Sequence, residues 1–297
     1  MTALAAIGRA VLTSLTATGL AALLAGAAVG QGLSLKDQDS DEPIEIYAEE
    51  GIEWQRQNKA YVARGNARAS RGTASVRAET LTAFYRPSPA GGTEIWRIDA
   101  DGGVRLTSGD DLAYGDKAVY LVDEQRITLT GKVGLKTAQD SITADRSLEY
   151  WERDLVMVAT GNAVATRADR RLKADKLTMF LREEAGGKLA LSRADARGNV
   201  HVSTKTDIAT GNCANYDVDR GLALLVGSVK ITRGENQLNG DAAEVNLNTG
   251  ISTLHGKSTA AAASAKSPCA RAMQKQGRVQ GLFLPGSEKL PGQTATQ

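Results

Sequence analysis

Residues that carry chemistry are scarce in this chain. Among 297 residues there are two histidines, His201 and His255, and two cysteines, Cys213 and Cys269. Neither histidine belongs to a metal-ligand spacing, and an exposed strand position accounts for each. No G-x-S-x-G, P-loop or H-E-x-x-H segment occurs, which removes the local signatures of hydrolases, phosphate-loop enzymes and zinc proteases. With no nucleophile–base motif either, the sequence reads as non-enzymatic and implies no cofactor. A formal net charge of +2 and the lack of RNA- and DNA-binding motifs argue against a nucleic-acid partner. Aromatic residues make up only 4% and prolines number 6, so any core must be thin and built from small and branched side chains. A secreted chain permits a disulfide. Cys269 lies in a low-complexity tail, however, so the sequence favours two unpaired cysteines.

What is present begins with a leader. Residues 1–30 carry one charge, Arg9, followed by about 20 small or apolar residues. This segment reads as a signal peptide, cleaved near Ala25-Gly26-Ala27 or just before Gln31. The competing reading is an uncleaved membrane anchor, because the apolar run is long enough to span a bilayer. Residues 31–43 form an acidic linker, and residues 258–297 form a basic, low-complexity tail expected to be mostly without regular structure.

Between them, over residues 44–257, a Gly-polar step followed by an alternating segment recurs seven times. The copies start at Gly65, Gly102, Gly131, Gly161, Gly198, Gly227 and Gly256, with spacings of 37, 29, 30, 37, 29 and 29. The spacings nearly repeat after 96 residues, and Leu81, Phe84 and Arg86 then fall on Leu177, Phe180 and Arg182. Duplication of a three-unit block explains this. Each unit also places an apolar residue eight positions before an aromatic, as in Val76 and Phe84 or Ile142 and Tyr150.

Within a unit the period is two, so the elements are strands with one buried face. The inward candidates are Val104, Leu106, Ile127, Leu129, Val133 and Leu135 in the first half. Val200, Val202, Val229 and Ile231 follow in the second. Ala67, Ala69, Ala163 and Ala165 stand at matching places and would leave width between sheets. Gly-Asn and Gly-Lys mark tight connections or bulges, and the inserts "RPSPAGG" and "REEAGG" read as lengthened hairpin tips. A unit of this size cannot bury its apolar face alone, so units must stack into an elongated antiparallel structure. The rival is a right-handed parallel β-helix. The acids Glu49, Glu79, Asp145 and Asp175, with Asp116 and Asp241 nearby in register, recur about thirty residues apart, too far for a calcium roll. They are expected to serve turns or strand edges by bonding local backbone.

The segments "ITADRSLEY", "VMVATGNAVAT", "LKADKLTMF", "ADARGNVHVS" and "LNGDAAEVNLNTG" resemble the OstA-like (LptA) family of periplasmic lipopolysaccharide-transport proteins. The resemblance covers about Ile44 to Lys257. It implies an all-β, elongated antiparallel β-jellyroll with an apolar slot, lined by the inward residues named above. It also implies a carrier that bridges inner and outer membranes and holds the acyl chains of lipopolysaccharide (lipid A). Docking edge to edge onto transport proteins of the same fold follows from the same likeness. Alternatives are an inner-membrane-anchored (LptC-like) relative and a structural or glycan-binding β-solenoid. Gln31 to Ala60 holds eight acids and three bases, and Gly256 to Gln297 six bases and one acid. Opposite charge at two exposed ends favours head-to-tail self-association. Arg167, Arg170, Arg171, Lys173 and Lys176 are candidates for lipid phosphates or a merely solvated face.

Overall fold

The computed structural model describes residues 28–31, 44–89, 91–185, 188–246, 248–249, 251–256, 269 and 279–282. Every regular element among them is a strand. In chain order these are β1 (Ala28–Gln31), β2 (Glu45–Tyr47), β3 (Gly51–Gln55), β4 (Ala60–Arg71), β5 (Ala74–Pro87), β6 (Thr93–Ser108) and β7 (Asp111–Leu121). There follow β8 (Arg126–Thr130), β9 (Val133–Lys136), β10 (Asp140–Ala144), β11 (Ser147–Trp151), β12 (Val156–Arg167) and β13 (Arg170–Glu183). The last are β14 (Lys188–Ser203), β15 (Asp207–Asp217), β16 (Leu222–Arg233), β17 (Asn236–Asn246), β18 (Ile251–His255) and β19 (Gln280–Leu282).

All 19 strands join one sheet. Every pairing is antiparallel, and from β4 to β18 each rung of the ladder pairs with the rung before it. A parallel β-helix is therefore excluded. Some rungs are single strands; others are broken in two, as where β8 and β9 lie side by side with β11 and β10. The duplicated block is visible in the elements: β4, β5 and β7 start at 60, 74 and 111, and β12, β13 and β15 at 156, 170 and 207. The longest hairpins are β5–β6 and β13–β14, and the described residues of "RPSPAGG" and "REEAGG" lie at their ends.

The Gly-polar steps are not the ends of hairpins. The first six sit in the middle of rungs, as bulges or as the break between half-rungs, and the seventh, at Gly256, leads out of the described residues. Gly65-Asn66 lie opposite Glu79 alone, Gly161-Asn162 opposite Asp175 and Gly227-Ser228 opposite Asp241. Both residues of each step adopt positive φ, for instance +92° and +44° at Gly161 and Asn162. Two consecutive left-handed residues bend the strand sharply. Because the steps are in register across the ladder, the bends line up as a crease that folds the sheet into two half-sheets.

The recurring acids lie in the same crease, each facing a step on a neighbouring rung. Asn66 Nδ2 donates to Glu49 at 3.1 Å, Asn162 Nδ2 to Asp145 at 2.7 Å and Asn199 Nδ2 to Asp175. The expectation of a turn or edge role bonding local backbone is corrected here. Glu49, Asp145 and Asp175 clamp asparagine side chains at mid-rung bulges, and Glu79 lies against Gly102.

The unpaired reading of the cysteines is also corrected. Cys213 on β15 is bonded to Cys269, 56 residues later. Cys269 is fully buried among Leu224, Val226 and Ala242. The tail is thus pinned at Cys269, and further along it β19 pairs with Gln237–Asn239 of β17. Low complexity around Cys269 hid this, because the bridge depends on a contact the local sequence does not encode. At the other end, Ala28–Gln31 pair with Lys188–Ala190 of β14, so the last residues assigned to the leader reach the sheet. The rest of the leader (1–27), most of the acidic linker (32–43) and most of the tail lie outside the described residues.

Candidate functional site

Alternation along each rung sends one row of side chains into the space between the half-sheets. One apolar cluster runs through it from Ala63 to Ala243. All ten residues read as inward from the sequence belong to this cluster or pack against it. The structure separates them by depth. Val104, Leu129, Val133, Val200 and Val229 sit beside the crease and are almost completely buried, at 1 or 2% exposure. There they close the apex. Leu106, Ile127, Leu135 and Val202 lie farther out and line open space. Ile231 is half-buried against the core and is not among the residues of the three cavities described next.

Three open cavities follow the length of the fold, each measured together with the solvent space at its open side. The N-terminal one, of about 920 Å³, lies among Ile46, Ile52, Tyr61, Leu81 and Leu106. A central one of about 780 Å³ is bounded by Leu135, Ile142, Ala165, Leu172, Met179 and Leu191. The third, of about 620 Å³, contains Val202, Ala214, Tyr216 and Val245 and shares Leu172 and Ala194 with the central one. Their walls are nearly all apolar. The alanines divide in the same way as the larger residues. Ala67 and Ala163 are fully buried at the crease, whereas Ala69 and Ala165 line cavities and give them width.

Polar groups gather at the mouth of the central cavity. Thr137, Asp140, Ser141, Thr166, Arg167 and Arg170 border it. Arg167 Nε lies 3.6 Å from Asp140 Oδ1. Burial raises the Asp140 carboxyl above the usual carboxylate range, with Arg167 opposing, and its Oδ2 has no hydrogen-bond partner among the described residues. Tyr120 and Tyr150 are pushed up to about 12, first by burial and then by the charge of Glu152. Arg171, Lys173 and Lys176 point away from this mouth and are exposed on the outer face. Of the five suggested phosphate contacts, only Arg167 and Arg170 border the central cavity.

Sequence reasoning missed Ile46, Ile52, Ile142, Leu172, Met179 and Leu191 as cavity residues. A signal existed for three of them. Ile46, Ile142 and Leu172 are the apolar members of the apolar–aromatic landmarks. The same rule would have misled at Ile208, which is 45% exposed on the outside. Among the described residues no group of three or more His, Cys, Asp or Glu is placed to hold a metal.

The family model described as "LptA/(LptD N-terminal domain) LPS transport protein" matches residues 45–150 and again 142–251. The two matches follow the duplicated block. An uncharacterized protein of Rhizobium meliloti (strain 1021) is 30% identical over 120 residues, which are 38% of this chain and 64% of that one. The chain thus spans about two-thirds of that relative's length at most. A crystal structure of LptH, described as the LptA homologous periplasmic component of the lipopolysaccharide transport device of Pseudomonas aeruginosa, aligns with a TM-score of 0.35 and 18% identity. That alignment covers 41% of this chain and 85% of LptH.

Proposed function

Because the chain belongs to the family of LptA and LptD N-terminal-domain lipopolysaccharide transport proteins, we propose that it is a periplasmic carrier whose slot holds the acyl chains of lipid A, and that it forms part of a bridge between the inner and outer membranes. The observation that carries this reading is the run of apolar cavities between the half-sheets with a charged mouth at Asp140, Arg167 and Arg170. Each methylene moved from water into such a slot contributes about 0.8 kcal/mol. Firm holding needs only a modest length of chain, and no catalytic group takes part. Leu106, Ile127, Leu135 and Val202 make the contact. Val104, Leu129, Val133, Val200 and Val229 support it from the crease, and Ile231 from the core.

Docking edge to edge is part of the proposal. Among the described residues no strand pairs with the outer side of β2–β3, which carries Glu45 and Glu53 and exposes Ile46, Ile52 and Trp54. A free edge with apolar side chains invites another strand. The acidic N-terminal and basic C-terminal ends favour head-to-tail contact. Sedimentation at high protein concentration and low salt should show association that raised salt reverses; a monomer throughout would remove self-association from the proposal.

Photo-crosslinking in cells tests the carrier reading. A crosslinker replaces Leu135, which borders the central cavity, or its exposed neighbour Lys136. A lipopolysaccharide adduct at 135 and none at 136 is expected. No adduct at 135, in folded periplasmic protein, would leave the fold intact and remove the carrier reading.

A further inference from the structure

The outer faces of the two half-sheets differ in how their charges are arranged. On the half bearing the longer hairpin tips, cations have carboxylate partners: Arg97 with Asp99, Arg193 with Asp195, Arg86 with Asp123 and Glu94. Across the crease the pattern is the opposite. Arg68 on β4 is directly opposite Arg77 on β5, and Arg77 is directly opposite Arg105 on β6. All three are exposed, and none makes an ion pair or side-chain hydrogen bond with another described residue. Rungs are about 4.8 Å apart, so three like charges are stacked at that spacing, an arrangement that costs stability.

The row continues without an acid. Tyr47 precedes Arg68 and Tyr114 follows Arg105. Beyond the middle of the sheet the same row carries Lys173, His201 and Lys230. The next row on this face begins with Ser70, Ser75 and Thr107, and the Ser75 and Thr107 hydroxyls lie 2.8 Å apart. The acids that border the three arginines are Glu79 at the crease and Glu45 at the end of the serine row.

We infer that Arg68, Arg77 and Arg105 form a docking strip for the phosphate headgroups of an anionic phospholipid bilayer. The strip has no concavity, so it cannot enclose a single phosphate. It offers a row of guanidinium forks, suited to phosphate oxygens, beside a row of hydroxyls and between two tyrosines, and a headgroup layer supplies phosphates along the whole row. Each basic residue near such a surface strengthens binding roughly fivefold. The strip lies outside the slot, so cargo and membrane would not compete for it. The duplicated block has Val164, Lys173 and His201 at these places, which weakens the feature there.

Co-sedimentation of the full chain with vesicles tests this. One set is pure phosphatidylcholine and the other contains phosphatidylglycerol. The wild type is expected to sediment with the anionic set only, and less at raised salt. Insertion of the N-terminal apolar run would instead hold it on both. Reversal of the strip, Arg68→Glu with Arg77→Glu and Arg105→Glu, should lower binding by roughly a hundredfold or more. The same charge change placed off the strip, Lys188→Glu with Lys205→Glu and Arg220→Glu, should leave most of it. A milder triple change to Gln guards against misfolding. It should bind weakly yet melt no lower than the wild type, because the repulsion is gone. The inference is overturned by any one of three results: no wild-type binding to the anionic vesicles at low salt, equal binding to both sets, or equal losses from the strip and off-strip reversals. Each of these leaves the carrier reading untouched, since that reading is tested by the adduct at Leu135.

Discussion

The side-chain amide of Asn199 donates to both carboxylate oxygens of Asp175, at 3.1 and 2.9 Å, across the bulge that bends β14. The residue before it, Gly198, has φ of +75°, and a Cβ there would stand 2.2 Å from Asp175 Oδ2. Turn strain and a clash with a held carboxylate therefore add. Gly198→Ala should cost about 3 kcal/mol. Gly234→Ala, at φ of +55° with nothing within 4 Å, should cost about 1 kcal/mol from strain alone. Urea denaturation of both variants checks the difference. Equal costs would mean that the crease does not depend on the acid–bulge contact.

Width of the slot is set by Ala165, and closure of its apex by Ala163. The two are neighbours on one face of β12, yet Ala163 is fully buried opposite Ala174 while Ala165 borders the central cavity. Ala163→Trp should fail to fold or lose more than about 3 kcal/mol, because the crease has no room to yield. Ala165→Trp should remain folded and fill the cavity, so the adduct at Leu135 should disappear. A folded Ala165→Trp variant that still gives the adduct would place the acyl chains elsewhere.

Strand phase was legible because a period of two is local. It set Leu135 inward and Lys136 outward without knowledge of any partner strand. Depth was not legible. Whether an inward residue closes the apex, as Val133 does, or borders open space, as Leu135 does, depends on its distance from a crease that exists only once bulges on neighbouring rungs line up. The sequence supplied the bulge residues and the acids as two separate periodicities. Their interleaving, with Asp175 between Gly161-Asn162 and Gly198-Asn199, needs the pairing register. The family match supports the transport reading in the same coarse sense.

The last rung is assembled from two distant segments. β18 covers Ala242–Asn246 of β17, and β19 covers Gln237–Asn239, the stretch that the repeat register would assign to residues just after Gly256. The Cys213–Cys269 bond ties the intervening chain to β15. Replacing both cysteines by serine releases a closed loop of 56 residues, worth up to about 4 kcal/mol in the chain-entropy model. Hydrogen exchange at residues 280–282 and along the covered stretch of β17 should speed up, while β4–β7 should exchange as before. Unchanged protection at residues 280–282 would show that β19 holds its place without the bridge.

Tyr120 and Tyr150 flank Ile127 on adjacent rungs, and both hydroxyls are pushed up to about 12. The unfolded chain ionises these groups near 10, so between about 10 and 12 the folded state holds protons the unfolded state has lost. By linkage, stability then falls as pH rises. The contribution of the two tyrosines is complete below about pH 10 and is lost as pH rises through 12. Lysines also titrate in this window, so the wild type alone cannot identify the cause. The double change Tyr120→Phe with Tyr150→Phe removes the two buried hydroxyls and leaves every lysine in place. Urea midpoints at pH 9 and 11 should therefore drop less in the double variant than in the wild type. Equal drops would mean that burial does not hold these tyrosines neutral, and that the outer half of the core is wetter than its packing implies.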